Sequence, residues 1–206
     1  MWRATRPSAT NRSRRAPGGQ QLPQYFKLGL SVADYGDSGE SSGSFLSNAA
    51  LFPAMKPLIR SGDMVLIQFG PNDKSTTGSA FAPNLTSLVT QVRSQGATPV
   101  LVTPPVRRLF AADGTLTSTA LHVNGVGADL PATMRQVAAA QNTSLIDLTA
   151  ASAALVEGLG PNASAALYLT ELNDTTHFSS YGANEMARLA LQRMRELNLS
   201  PVPYLR

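Results

Sequence analysis

Four short apolar runs alternate with stretches of helical spacing, and this alternation constrains the fold of the chain more than any other feature. The runs are "LGLSVADY" (28–35), "DMVLIQFG" (63–70), "TPVLVTPP" (98–105) and "TSLIDLT" (143–149). They are rich in Val, Ile and Leu and mostly bounded by Gly, Pro, Asn or Asp, as buried strands are. Between them, "NLTSLVTQVRSQG" (84–96) places Leu85, Leu88, Val89 and Val92 on one helical stripe and ends at Gly96. "LPATMRQVAAAQN" (130–142) and "SAALVEGLG" (152–160) read as further helices, and a last one carries Met186, Leu189, Ala190 and Met194 on one face. "ALFPAMKPLIRSG" (50–62) is limited to short turns by Pro53 and Pro57. Strands alternating with helices predict an α/β three-layer sandwich around a central parallel sheet. Ligands of such sheets sit beyond the carboxyl ends of the strands. The segments to inspect are therefore "GDSGESSGSF" (36–45), "GPNDKS" (70–75), "PPVRRLF" (104–110) and "NDTTH" (173–177).

Composition narrows the function. The chain has 206 residues, 43% hydrophobic and 15% charged, which suits a globular domain. Its net charge of +4 is concentrated in residues 1–15, which hold five arginines and no acid. Removing those five from 17 basic residues leaves 12 against 13 acidic ones, so the body lacks a nucleic-acid footprint. Residues 1–15 read as a basic irregular tail, and 16–206 as the folded domain. No apolar run is long enough to span a bilayer. With no cysteine and only two histidines there is no ligand set for a metal, and no phosphate-binding glycine motif is present. The expectation is a monomer without cofactor, metal, membrane or nucleic-acid partner.

Three loops could carry chemistry. Asn72 follows an apolar strand directly and could donate its amide to a developing oxyanion; equally, "GPND" is ordinary turn composition. The Gly- and Ser-rich stretch around Gly39 could offer backbone N–H groups to an anion, or be a plain loop. Asp174 stands three residues before His177. An acid on one imidazole nitrogen fixes the tautomer and leaves the other as a base, although Asp and Thr at this place also cap helices. The second histidine, His122, has no acid nearby and reads as loop surface.

The order of these pieces resembles the SGNH (GDSL) hydrolases, and within them the rhamnogalacturonan acetylesterase-like branch. The resemblance runs from about Gln20 to about Arg193 through "SSGSF", "GDMVLIQFGPND", "TPPVRRLF", "LIDLTAASAALVEGLG" and "THFSSYGANEMA". It implies a flavodoxin-like sheet. It also implies that the Gly39 N–H and the Asn72 side chain are oxyanion donors, that His177 is the general base and acid, and that Asp174 orients it. Pro71 departs from the pattern, since the branch more often has His there.

The implied nucleophile is a Ser after the first strand. Ser38 lies in a "GDS" but is the immediate neighbour of Gly39, and its register leaves no room for the intervening strand and helix. Position instead points to Ser8 in "RPSATN", where Arg6 and Pro7 replace the Gly and Asp of the motif. Two readings stay open: Ser8 serves, or the first strand is missing or degraded and the chain lacks a competent nucleophile.

The resemblance thus implies a serine esterase acting on acetylated carbohydrate of the pectin or rhamnogalacturonan type. The alternatives are a catalytically impaired relative that keeps the carbohydrate cleft, and a lipid or acyl-thioester hydrolase of the same superfamily. Six Asn-x-Ser/Thr sequons, at Asn11, Asn84, Asn142, Asn162, Asn173 and Asn198, favour a secreted protein. The Arg- and Ser-rich start is closer to a transit segment than to a secretory signal.

Overall fold

The protein is described here from a computed structural model covering residues 21–27 and 29–205. Two short helices, α1 (Ser42–Ser47) and α2 (Phe52–Met55), precede a parallel sheet of three strands. Pro53 and Pro57 divide this region into single turns, as their ring geometry requires. The strands are β1 (Met64–Ile67), β2 (Thr98–Val102) and β3 (Ser144–Ile146), adjacent in that order. Met64 faces Thr98 across the first pair, and Val100 faces Ser144 across the second. Crossover helices α3 (Gly78–Arg93) and α4 (Leu130–Ala140) connect them, which is how parallel neighbours must be joined.

Strand alternation sorts the side chains to two covers. Val65, Ile67 and Leu101 pack with Leu85, Leu88 and Val92 of α3 and Met134 of α4. Val100, Val102 and Ile146 pack against Ala187, Ala190, Leu191 and Met194 of the last helix. After β3 the chain continues through α5 (Leu148–Ala163) to α6 (Ser180–Glu196), the last helix itself. Both faces of β2 are therefore dry, which explains its unbroken apolar run. The caps are local: Asp129 accepts from Ala132 N–H at α4, Asp147 from Ala150 N–H at α5, and Ser179 from Gly182 N–H at α6.

Three expectations change. Helix α3 starts at Gly78 rather than at Asn84, because Phe81 is fully buried and its turn belongs to the packed face. Helix α5 is longer than "SAALVEGLG" and kinks at Gly160, whose φ is +68°. The expected strand at 28–35 is not one over its described part. It joins no strand among the described residues, although Leu30 and Val32 pack against the same core cluster as Met64 and Leu66. Apolar β-branched composition favours extended backbone, but a strand exists only where a neighbour supplies hydrogen bonds. The basic tail and Ser8 lie outside the described residues.

Candidate active site

The loops that leave the strands at their carboxyl ends meet at one end of the sheet. Each is held by specific side chains.

The base arises from four consecutive residues. The Asp174 carboxylate accepts from the backbone N–H of Thr176 and of His177, both at 2.9 Å, so it closes its own turn. Its other oxygen lies 2.7 Å from His177 Nδ1. A carboxylate only accepts, so Nδ1 carries a proton, and in the neutral ring the lone pair is on Nε2. Burial alone would raise the Asp174 pKa. The two backbone donors and the imidazole outweigh it, and the carboxyl lies below its ordinary value. Asp174 is 14% exposed at its side chain and His177 40%, so the acid is sheltered and the base is open.

This turn is clamped from outside. Leu169 N–H donates to His177 C=O and Ser179 N–H to Leu167 C=O. The buried Tyr168 ring meets Phe178 at 4.8 Å between centroids, and its hydroxyl donates to Val106 C=O. Gly182, in the first turn of α6, allows the closest approach: a Cβ there would lie 1.9 Å from the Leu167 carbonyl oxygen. No other residue fits.

The donor half has a different construction. Asn72 follows β1, is half-buried, and its side-chain amide makes no hydrogen bond among the described residues. Gly39 sits at φ +87°, in the left-handed region that glycine adopts without strain, and its N–H also has no partner among the described residues. The residue that relates the two is Asp73. It is fully buried and accepts from Ser42 N–H at 3.1 Å, Ser42 Oγ at 2.7 Å and Thr76 Oγ1 at 3.1 Å. Asn84 Nδ2 in turn donates to Ser42 Oγ. Desolvation raises the Asp73 pKa against the pull of these donors. One carboxylate thus staples the Gly39 loop to the Asn72 loop. The sequence signal for it was only an acid beside Asn72 in an otherwise turn-like tetrapeptide.

The segment after β2 joins the halves. Arg107 donates through Nη2 to Pro71 C=O at 3.1 Å, next to Asn72. Arg108 N–H donates to Thr175 C=O at 2.8 Å, inside the His177 turn. His122 belongs to this scaffold and corrects the surface reading. It is 5% exposed, and its Nε2 donates to Pro105 C=O at 2.7 Å. Burial chiefly, with the charge of Arg107, lowers its pKa to about 4 although the carbonyl bond opposes this, so it is a neutral scaffold group. The sequence hid it because no acid lies nearby; its partner is a carbonyl 17 residues away.

Of the expected site residues, Asp174 and His177 are in contact, and Asn72 and Gly39 are tied through Asp73 and Ser42. Ser8 is outside the described residues. Ser38 is exposed, its N–H donates to Asp37, and it makes no hydrogen bond to His177. Among the described residues no group of acidic or histidine side chains could hold a metal ion, and no helix is long and apolar enough to cross a membrane.

The model of the GDSL-like lipase/acylhydrolase family matches residues 3–184. Rhamnogalacturonan acetylesterase RhgT of Bacillus subtilis (strain 168) is 33% identical over 196 residues, an alignment covering 88% of this chain and 81% of RhgT. The crystal structure of YxiM from Bacillus subtilis superposes with a TM-score of 0.80 at 27% identity. That match covers 94% of this chain, which spans about half of YxiM, 54%. An acetylxylan esterase from Geobacillus stearothermophilus shares the fold at 21% identity, with a TM-score of 0.59 over 81% of this chain and 73% of the esterase.

Proposed function

The chain belongs to the GDSL-like lipase/acylhydrolase family, and from that premise we propose that it is a serine esterase removing acetyl groups from carbohydrate of the rhamnogalacturonan type. The observation that carries the reading is the Asp174–His177 pair, with Nδ1 engaged at 2.7 Å and Nε2 without a hydrogen-bond partner among the described residues. The acetylesterase names of its relatives supply the acyl group and the substrate class.

In this reading Ser8 Oγ attacks the acetyl carbonyl while His177 Nε2 takes its proton. The tetrahedral oxyanion is held by the Gly39 N–H, the Asn72 amide and the Ser8 N–H. Asp174 stabilises the imidazolium, which returns the proton to the departing sugar oxygen. The same Nε2 then activates water, and the acyl-enzyme is hydrolysed to acetate. The family match reaches back to residue 3 and so takes in Ser8, which supports its assignment over Ser38. The sequons support a secreted site of action.

A serine-directed phosphonate probe, followed by peptide mass spectrometry, tests the nucleophile. Labelling at Ser8 is expected. Labelling at Ser38 would overturn the register, and a protein that takes no label would be the impaired relative. Among aryl esters, acetate should be hydrolysed fastest, with a steep fall as the acyl chain lengthens. A preference for long chains would move the protein to the lipid hydrolases.

A further inference from the structure

Asn72 has no side-chain anchor among the described residues, so its aim is set by the backbone on either side of it. Before it, Pro71 C=O accepts from Arg107 Nη2 at 3.1 Å. After it, Asp73 N–H donates to Gly70 C=O at 2.9 Å, and Thr76 N–H donates to Asp73 C=O at 3.2 Å. The carbonyls of Asp73 and Thr76 are then taken by one side chain from another part of the chain. Asn124 Nδ2 donates to Asp73 C=O at 2.8 Å and to Thr76 C=O at 2.7 Å, across 51 and 48 residues of sequence. Its Oδ1 accepts from Val126 N–H at 3.2 Å and from Ala128 N–H at 3.0 Å. The amide thus closes its own loop with one end and the Asn72 loop with the other. A bridge between Val123 and Asp129 ties the ends of the small loop, and Gly125 N–H adds a bond to Lys74 C=O at 3.1 Å. A Cβ at Gly125 would lie 3.4 Å from that oxygen, so the two loops are in direct contact. The chemistry calls for an amide here: a carboxylate has no proton for either carbonyl, and a hydroxyl has only one.

We propose that Asn124 is a positioning residue, which holds the 70–76 loop in the orientation that lets the Asn72 amide reach a developing oxyanion. The Asp73 carboxylate ties this loop to Ser42, and Asn124 ties its carbonyls to the segment that follows β2. An amide donor contributes to an oxyanion hole only if its direction is fixed before the charge develops. The effect of Asn124 on turnover rests on the esterase reading above; its effect on the Asn72 side chain does not.

A double-mutant cycle separates aim from general stability. In the whole chain, Asn124→Ala should lower kcat on an aryl acetate about tenfold with KM unchanged, measured well below the Tm of each variant. In an Asn72→Ala background the same change should cost less than about twofold, because no amide is left to misdirect. An equal loss in both backgrounds, or an unchanged kcat in a folded Asn124→Ala, would overturn the proposal. Where Asn124→Ala fails to fold, Asn124→Ser keeps one donor and carries the same cycle with a smaller loss. The Asn72 side-chain amide resonances, read in parallel by nitrogen–proton correlation NMR, should shift or broaden in the Asn124 variant while the His177 Nδ1–H resonance stays in place. If the wild type hydrolyses no ester, the esterase reading fails and these resonances decide alone: moved Asn72 signals keep the positioning role and unmoved ones sink it. Normal hydrolysis with unmoved Asn72 signals removes Asn124 and leaves the esterase.

Discussion

The two halves of the candidate site are built by opposite routes. The base half is one turn: Asp174, Thr176 and His177 bond to each other within four residues. The donor half depends on loops brought together from a distance, with Ser42 and Asp73 31 residues apart in the chain. Short-range hydrogen bonds form at small entropic cost, so the base half needs little beyond a clamp at its outer side. The donor half needs a buried charge to keep its register, and an error in that register misdirects Asn72 without unfolding anything nearby. The comparison predicts that damage to the base half removes chemistry outright, while damage to the staple degrades it.

The largest effect should come from His177. His177→Ala should lower kcat on an aryl acetate by about a thousandfold or more, roughly 4 kcal/mol, with little change in KM. Asp174→Asn should cost somewhat less, because the turn can partly reform. Near-intact hydrolysis in His177→Ala would remove the base assignment.

Next is the clamp. Gly182→Ala drives a Cβ into the Leu167 carbonyl, and α6 must move away from the 165–170 segment. A loss of roughly 3 kcal/mol is expected, seen as a fall in Tm of about 6–12 °C by calorimetry. An unshifted Tm would mean that the two segments are not packed this closely.

Asn72→Ala should reduce kcat by about a hundredfold, with stability and KM nearly unchanged, because the amide makes no hydrogen bond among the described residues. A marked fall in Tm with normal kcat would make Asn72 a turn residue.

The joining segment should show itself through pH. His122 has a folded pKa near 4, below its unfolded value. The unfolded chain therefore binds the extra proton between about pH 6.5 and 4, and stability falls as pH is lowered through that window. Between pH 7 and 5 the loss should be about 2 kcal/mol, measured by denaturant titration. His122→Asn tolerates the left-handed backbone at φ +63° and should flatten this slope. The depressed Asp174 and Asp147 act only at lower pH, below the ordinary carboxylate range.

The smallest effect sharpens the comparison most. Asp73→Asn keeps the shape of the staple but not its charge. A loss of about tenfold in kcat is expected, roughly 1.4 kcal/mol, with KM constant. The downfield proton resonance of His177 Nδ1–H should not move. A shifted or broadened resonance would show that the halves are not independent.

Much of this was legible in the residues. The alternation of apolar runs and helical stripes specifies a parallel sheet with two helical covers, because each side chain's partition between water and core is a local property. The spacing of Asp174 and His177 likewise specifies their contact, since a turn of that length has few conformations. What the residues could not determine was whether a partner would be present. His122 looks solvent-exposed until Pro105 is folded over it. Asp73 reads as a turn acid until Ser42 and Asn84 close on it. In each case the deciding interaction spans distant parts of the chain, and only tertiary packing sets which polar groups lose water and which neighbours replace it.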